Sequence, residues 1–230
     1  MSTPHNALLL IGSAKPKGES SSEALANHLA ERMRAHGMHT ETCHVAMAMR
    51  APAQTREFLQ AVDRADALIL AFPLYVDSLP YLATLALERI AAHRQSRAEP
   101  TSGSFLAIAN CGFPEVAHNA TAIAICRQFA EQAGYAWAGG LALGMGGAIA
   151  GRPLREVGGI AHNVVSALEL AAKAIAAGNP VPEDAIALMA KPFIPITGYM
   201  LMGDIGWLAE ARRNHVLTRL GAQPFDTGSR

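Results

Sequence analysis

The chain has 230 residues, of which 50% are hydrophobic and 17% are charged, and its 19 basic side chains are balanced by 19 acidic ones. This hydrophobic content suffices for a well-packed core, and the low charged fraction excludes a disordered, self-repelling chain. Nucleic-acid phosphates are bound by clustered Lys and Arg, which this sequence lacks. We therefore expect no nucleic-acid partner.

The three cysteines, Cys43, Cys111 and Cys126, are too few and too scattered for a disulfide framework or a CxxC metal site. They favour a reducing compartment, and we predict a cytoplasmic protein without a metal. The first residues carry no basic stretch followed by a long apolar run, so no secretory signal is expected.

Five apolar or alternating runs predict strands, in chain order, at residues 7–12, 39–45, 67–72, 105–109 and 135–143. Amphipathic stretches between them predict helices: one with Leu25, Leu29 and Met33 on its buried face, a short one around Phe58, and one starting at Pro80. Further helices are predicted at 115–133 and 153–177, the last stopped by Gly178 before Pro180.

This strict alternation of strand and helix predicts an α/β fold, an open doubly wound five-stranded parallel sheet with helices on both faces. Ligands of such a sheet bind outside the carboxyl ends of the central strands. The loops that follow Gly12, Ala71 and Ala109 are therefore the places to look for chemistry.

The loop after the first strand favours an anion site. Gly12 and Gly18 allow tight turns, and a new helix presents unpaired N–H groups there. Four serines add hydroxyl donors: Ser13, Ser20, Ser21 and Ser22. The spacing matches neither GxGxxG nor the Walker loop. The alternative is that Ser20 and Glu23 only form a capping box, which leaves the other three serines unexplained.

Two further loops are weaker signals. Pro73 and Pro80 stiffen the loop around Tyr75, which is typical of a wall for a flat aromatic ligand, although simple packing is the alternative. In the loop after the fourth strand, Gly112 permits close approach to a ligand. Cys111 leaves open a redox thiol. His118 leaves open a proton donor, although a helix-surface imidazole without a partner is the commoner case.

Taken together, the three loops resemble the flavodoxin-like NAD(P)H-dependent FMN reductase family. The likeness covers residues 5–178 and rests on these motifs: Gly12-Ser13-Ala14-Lys15, Gly18-Glu19-Ser20, Pro73-Leu74-Tyr75, Ser78-Leu79-Pro80 and residues 110–115. Lys15 stands where the family commonly has arginine, and lysine is a point charge without a bidentate fork.

The resemblance implies bound FMN, with NAD(P)H as co-substrate and a small electron acceptor such as a quinone or free flavin. Its phosphate would lie on Ser13, Lys15, Ser20, Ser21 and Ser22. The isoalloxazine ring would lie between two loops, made of Pro73, Leu74, Tyr75, Val76, Asp77 and Ser78, and of Asn110, Cys111, Gly112 and Phe113. Hydride transfer on an open flavin face needs no catalytic acid, so no catalytic residue is predicted.

Two other functions stay open on this fold. A flavodoxin-type electron carrier would bind FMN without oxidising NAD(P)H, although such carriers are usually strongly acidic and this chain is neutral. A flavin-free regulatory module, such as a phosphorylation receiver, needs acidic residues at the ends of the first and third strands. Gly12-Ser13 and Phe72-Pro73 occupy those places.

The resemblance also divides the chain. We predict an FMN-binding domain over residues 1–178 and a mostly helical, apolar C-terminal extension over residues 179–230. The extension would pack on the domain or at the interface of a homodimer. Contact with a membrane surface, suggested by Trp207 near Arg212 and Arg213, is the less favoured reading because Pro and Gly interrupt the apolar run.

Overall fold

The computed structural model describes residues 5–97 and 102–222. All five predicted strands form, and they make one fully parallel sheet in the order β2-β1-β3-β4-β5. The strands are β1 (Asn6–Ile11), β2 (His39–His44), β3 (Ala67–Pro73), β4 (Ser104–Asn110) and β5 (Ala136–Leu143).

The burial of the strands follows from their composition. Uninterrupted apolar residues make β1, β3 and β4 almost completely buried, as expected of strands covered on both faces, whereas the polar β2 lies at an edge. In register, Ile11 pairs with Ala71, and Asn110 pairs with both Pro73 and Leu143. The strands therefore end together at one carboxyl edge.

Helices cover both faces of the sheet. They are α1 (Ser21–Ala35), α2 (Val45–Ala48), α3 (Pro52–Arg64), α4 (Tyr81–Gln95), α5 (Ala120–Gln132), α6 (Leu154–Val157), α7 (His162–Ala176) and α8 (Glu183–Met189). Alternate residues of β1 enter two separate cores: Leu9 joins α1, α7 and α8, whereas Leu8 and Leu10 join α3, α4 and α5. The predicted doubly wound, flavodoxin-like fold is confirmed.

Two predicted helices have different boundaries in the structure. The one expected at 115–133 begins with a 3₁₀ turn, Val116–Asn119, before α5 starts. The buried Asn119 amide donates to the carbonyls of Val116 and Leu143, which ties this turn to the end of β5. The helix expected at 153–177 is broken between α6 and α7, because Gly158 has a φ of +80°, outside the helical region.

The chain after α7 falls into two parts. Gly178 takes the predicted left-handed conformation, with a φ of +73°, and Ala185 and Met189 of α8 add to the core of the sheet. A second compact unit begins at Ile194 and contains helix α9 (Ile196–Arg213) followed by a 3₁₀ turn. Within the described residues, no helix has the length and apolar character needed to span a membrane.

Candidate functional site

Four loops surround a cleft of about 200 Å³ at the carboxyl edge of the sheet. We call them loop 1 (residues 12–20), loop 2 (74–80), loop 3 (111–115) and loop 4 (144–153). The cleft is lined by Ser13, Lys15, Ser20, Ser21, Ser22, Pro73, Leu74, Tyr75, Asn110, Cys111, Gly112, Gly146 and Gly147. The fold thus brings together all five residues predicted to hold a phosphate. Four of the residues predicted to contact the isoalloxazine ring do not line the cleft: Val76, Asp77, Ser78 and Phe113.

Only one of the two hydrogen bonds of the predicted capping box forms at the start of α1. The Ser20 hydroxyl accepts a hydrogen bond from the Glu23 N–H at 3.3 Å, as predicted. The Glu23 carboxylate, however, accepts from the Gly18 N–H at 2.7 Å and lies 3.4 Å from His44 Nε2. Glu23 therefore fixes the backbone of loop 1, and it does not line the cleft.

The serine hydroxyls differ in what they can offer an anion. The oxygens of Ser13, Ser20 and Ser22 each accept a hydrogen bond, from the Lys15 N–H, the Glu23 N–H and the Asn110 side-chain amide respectively. Each hydroxyl proton is thus left to donate to a ligand. Ser21 instead donates to the Gly146 carbonyl at 2.8 Å, so its hydroxyl proton holds loop 4.

The charge of the cleft suits a phosphate. Lys15 is its single cationic side chain, and among the described lining residues there is no carboxylate. The first N–H groups of α1 have no partner within the helix and face the same end of the sheet. A cation, hydroxyl donors and a helix N-terminus together make a site that fits a phosphate monoester.

Asn110 links three of these elements. Its side chain is buried, and its Nδ2 donates to the Ser22 hydroxyl at 2.8 Å and to the Phe72 carbonyl at 3.0 Å. Its own carbonyl accepts from the Leu74 N–H at 2.8 Å. The residue was predicted as a ring-end contact, and the structure adds that it fixes α1, β3 and loop 2 relative to one another.

Loop 4 was not predicted as part of the site. It follows β5 and packs tightly on loop 3, since a Cβ on Gly144 would lie 2.6 Å from the Pro114 carbonyl oxygen and one on Gly146 would lie 3.1 Å from that of Cys111. A Cβ on Gly151 would meet the Glu19 backbone at 2.6 Å. The signal in the sequence was the concentration of glycines here, which indicates close backbone approach.

The tip of loop 2 is a tight turn under backbone strain. Tyr75 and Ser78 exchange backbone hydrogen bonds at 3.0 and 3.1 Å, while Val76 and Asp77 between them have φ values of +50° and +57°. A β-branched residue at positive φ is a genuine outlier, and the Val76 side chain is 99% exposed, so its packing does not compensate. Strain of this kind is concentrated at functional sites.

We expect the substitution Val76→Asn to raise the free energy of unfolding by about 1 kcal/mol, since asparagine tolerates the left-handed conformation better than a β-branched residue. Urea denaturation of the two proteins measures the difference. An unchanged or lower stability would show that the turn holds no such strain.

Cys111 lies in the cleft but has the environment of an inert thiol. It is 4% exposed, and burial raises its pKa above the usual range, although the Asn119 amide and the Phe113 backbone act in the opposite direction. A thiol held protonated is a poor nucleophile. Burial likewise raises the pKa of Cys126 to about 12 and that of Cys43 to about 11.

Two rings, those of Phe113 and His118, pack together between loops 2 and 3. Phe113 is 58% exposed and lies against the His118 imidazole, with 4.7 Å between ring centroids. His118 Nδ1 lies 3.7 Å from Asp77 Oδ1. The sequence suggested a surface histidine without a partner. In the structure, its neighbours are Phe113 of loop 3 and Asp77 of loop 2.

The family follows from a comparison of the sequence with models of known families. The model of the NADPH-dependent FMN reductases matches residues 6–122, which include β1 to β4 and loops 1 to 3. The chain belongs to the NADPH-dependent FMN reductase family. The resemblance seen in the three loops is thereby confirmed, and FMN and NAD(P)H are the family's cofactor and electron donor. No curated protein matches the chain.

Several solved structures have a similar fold. A structure described as "flavone reductase" is 10% identical, covers 74% of this chain and 62% of its own, and has a TM-score of 0.57. NAD(P)H:quinone oxidoreductase from Methanothermobacter marburgensis is 15% identical over 75% of this chain and 96% of its own, with a TM-score of 0.51. The Trp repressor binding protein from Bacillus subtilis is 14% identical over 71% and 95%, with a TM-score of 0.51. At these identities the likeness establishes the fold alone.

Proposed function

We propose that the protein is an FMN-dependent oxidoreductase that takes hydride from NAD(P)H and passes it to a quinone, a free flavin or another small acceptor. The observation that carries the proposal is the cleft at the carboxyl edge of the sheet, lined by one lysine, three serine hydroxyls with protons to donate and no carboxylate. When bound, FMN supplies the redox chemistry, and the protein binds and orients it.

The proposed roles of the residues follow their positions. Ser13, Lys15, Ser20 and Ser22 would bind the phosphate directly, while Ser21 would contribute its backbone N–H and hold loop 4. The ring would contact loops 2 and 3 together with the end of β4, where Asn110, Cys111 and Gly112 line the cleft. We propose that the part of the flavin that extends beyond the cleft contacts Val76, Asp77, Ser78 and Phe113. The cleft, at about 200 Å³, is smaller than a typical ligand pocket, so part of a bound flavin would lie outside it.

The assembly and location of the protein are also proposals. A homodimer is supported by α9, on which large apolar side chains are exposed: Met200, Leu201, Met202, Ile205, Trp207 and Leu208. Such a patch on a folded protein usually marks an interaction surface. A reducing compartment such as the cytoplasm is supported by the three free thiols.

Lys15→Gln is expected to weaken FMN binding by roughly tenfold to a hundredfold, since a hydrogen bond to a charged group contributes about 1.5–3 kcal/mol. Quenching of flavin fluorescence on titration of the flavin-free protein measures the dissociation constant. Lys17→Gln is the matched control, since Lys17 is also exposed on loop 1 but does not line the cleft. Equal loss in both variants would remove the assigned role of Lys15.

Anaerobic addition of NADPH or NADH to the FMN-loaded protein, followed by benzoquinone, tests the activity itself. We expect the flavin absorbance to bleach with the nucleotide and to return with the quinone. Bound FMN that neither nucleotide reduces would replace the proposal with the electron carrier.

A further inference from the structure

Loop 4 contacts the start of α1 on both sides of the Ser20 cap. On one side, the Gly146 carbonyl accepts a hydrogen bond from the Ser21 hydroxyl at 2.8 Å. On the other side, Gly151 lies so close to the Glu19 backbone that no Cβ fits between them. The intervening residues of loop 4 therefore pass along the end of the cleft where the phosphate donors lie.

The same two loops continue from the cleft into a second cavity. This cavity, of about 580 Å³, is lined by α1, by loop 1 and by residues 151–155. Loop 1 lines the cleft with Ser20 and the second cavity with Gly18. Loop 4 lines the cleft with Gly147, and its residue in the second cavity is Gly151, which contacts loop 1 between Gly18 and Ser20. The two backbones thus form the wall between the cavities.

Loop 4 is held in one conformation by its own hydrogen bonds and by those to loop 3. Met145 and Ala150 have φ values of +56° and +51°, which side chains adopt only where the surrounding contacts impose them. The Met145 N–H donates to the Phe113 carbonyl at 2.8 Å, and the Arg152 guanidinium donates to the Ala148 carbonyl at 2.8 Å. A ligand that passes the wall must break such contacts.

We propose that loop 4 makes the site selective for a flavin whose phosphate is terminal, as in FMN. In FAD the same phosphate continues into a second phosphate and an adenosine, which the wall would stop. The second cavity has the volume of an ordinary ligand pocket, so the wall, and not a lack of space beyond it, would exclude the adenosine. The proposal rests on the proposed function, since it requires the flavin phosphate to lie at loop 1 and α1.

Titration calorimetry of the flavin-free wild type with FMN and with FAD tests the selectivity. To admit FAD, Gly146 must leave the Ser21 hydroxyl and the Cys111 carbonyl, which its N–H contacts at 2.7 Å. One neutral hydrogen bond corresponds to at most about tenfold in a dissociation constant. We therefore expect FAD to bind about 100-fold more weakly than FMN.

The substitution Ser21→Ala assigns the selectivity to loop 4. Alanine keeps the backbone N–H proposed for the phosphate and removes the hydroxyl that holds Gly146. FAD is expected to bind about threefold to tenfold more tightly than it binds the wild type, with FMN affinity the same. Ser96→Ala is the matched control, because the Ser96 hydroxyl also donates to a carbonyl, that of His93 at 2.7 Å, at the far end of α4. It is expected to change neither affinity.

Three results would overturn the proposal. The first is equal affinity of the wild type for FMN and FAD, and this comparison is decisive even if the variant does not fold. The second is a Ser21→Ala protein with the wild-type ratio of the two affinities. The third is a ratio that narrows only because FMN binds more weakly. A wild type that binds no FMN is seen in the first titration and counts against the proposed function instead.

Discussion

The substitution Gly151→Ala is expected to abolish FMN binding and to lower the free energy of unfolding by about 2–5 kcal/mol. Gly151 has a φ of +76°, where a side chain costs about 1–2 kcal/mol. Its new Cβ would lie 2.6 Å from the carbonyl carbon and 2.8 Å from the carbonyl oxygen of Glu19, and overpacking adds about 1–3 kcal/mol.

The neighbour of Gly151 is backbone, so it cannot move aside as a flexible side chain would. Relief requires loop 1 to shift, and Glu19 directly precedes the Ser20 cap of α1. The phosphate donors of Ser13, Ser20 and Ser22 would then lose their mutual alignment. Urea denaturation and flavin fluorescence titration measure the two effects.

Gly159→Ala is the matched control for this prediction. Nothing lies within 4 Å of the position of its new Cβ, and Gly159 is not at positive φ, so we expect unchanged FMN affinity and unchanged or slightly higher stability. If Gly151→Ala binds FMN as the wild type does, loop 4 does not support the phosphate site.

The second large effect is expected for Asn110→Ala. The change removes the donor to the Ser22 hydroxyl and to the Phe72 carbonyl, both buried bonds. An unsatisfied buried acceptor costs about 1–3 kcal/mol, so a loss of stability of about 2–3 kcal/mol and a fall in FMN affinity of roughly tenfold or more are expected. The same two measurements apply.

Asn27→Ala is the control here, since Asn27 lies on the exposed face of α1 and does not line the cleft. It is expected to leave both FMN affinity and stability unchanged. A normal FMN affinity in Asn110→Ala, with or without loss of stability, would show that the link between α1, β3 and loop 2 is not needed for the site.

The sheet could be predicted because its signal is local. Continuous apolar runs, as in β3, occur in buried parallel strands and rarely elsewhere in a chain with so many polar loops. The order of the loops at the carboxyl edge then follows from the fold class. Ser13 and Lys15 could be placed at this edge for the same reason, since they come directly after the first strand.

Most of the features that were not predicted depend on contacts between segments that are distant in the sequence. The roles of Gly146 and Gly151 arise because loop 4 meets loops 3 and 1. The concentration of glycines indicates close backbone approach, but it does not indicate which segments approach one another. The same is true of His118, whose partner Asp77 lies 41 positions earlier in the chain. The break before α7 was not predicted because the helical spacing of apolar residues continues past Gly158. Only the positive φ of Gly158 interrupts the helix.

The account rests on FMN binding in the cleft, and fluorescence titration of the purified, flavin-free protein with FMN tests this most directly. We predict quenching that saturates at one FMN per chain, strongly weakened by Lys15→Gln and unaffected by Lys17→Gln. A protein that leaves FMN fluorescence unchanged, or whose quenching is the same in both lysine variants, would contradict it.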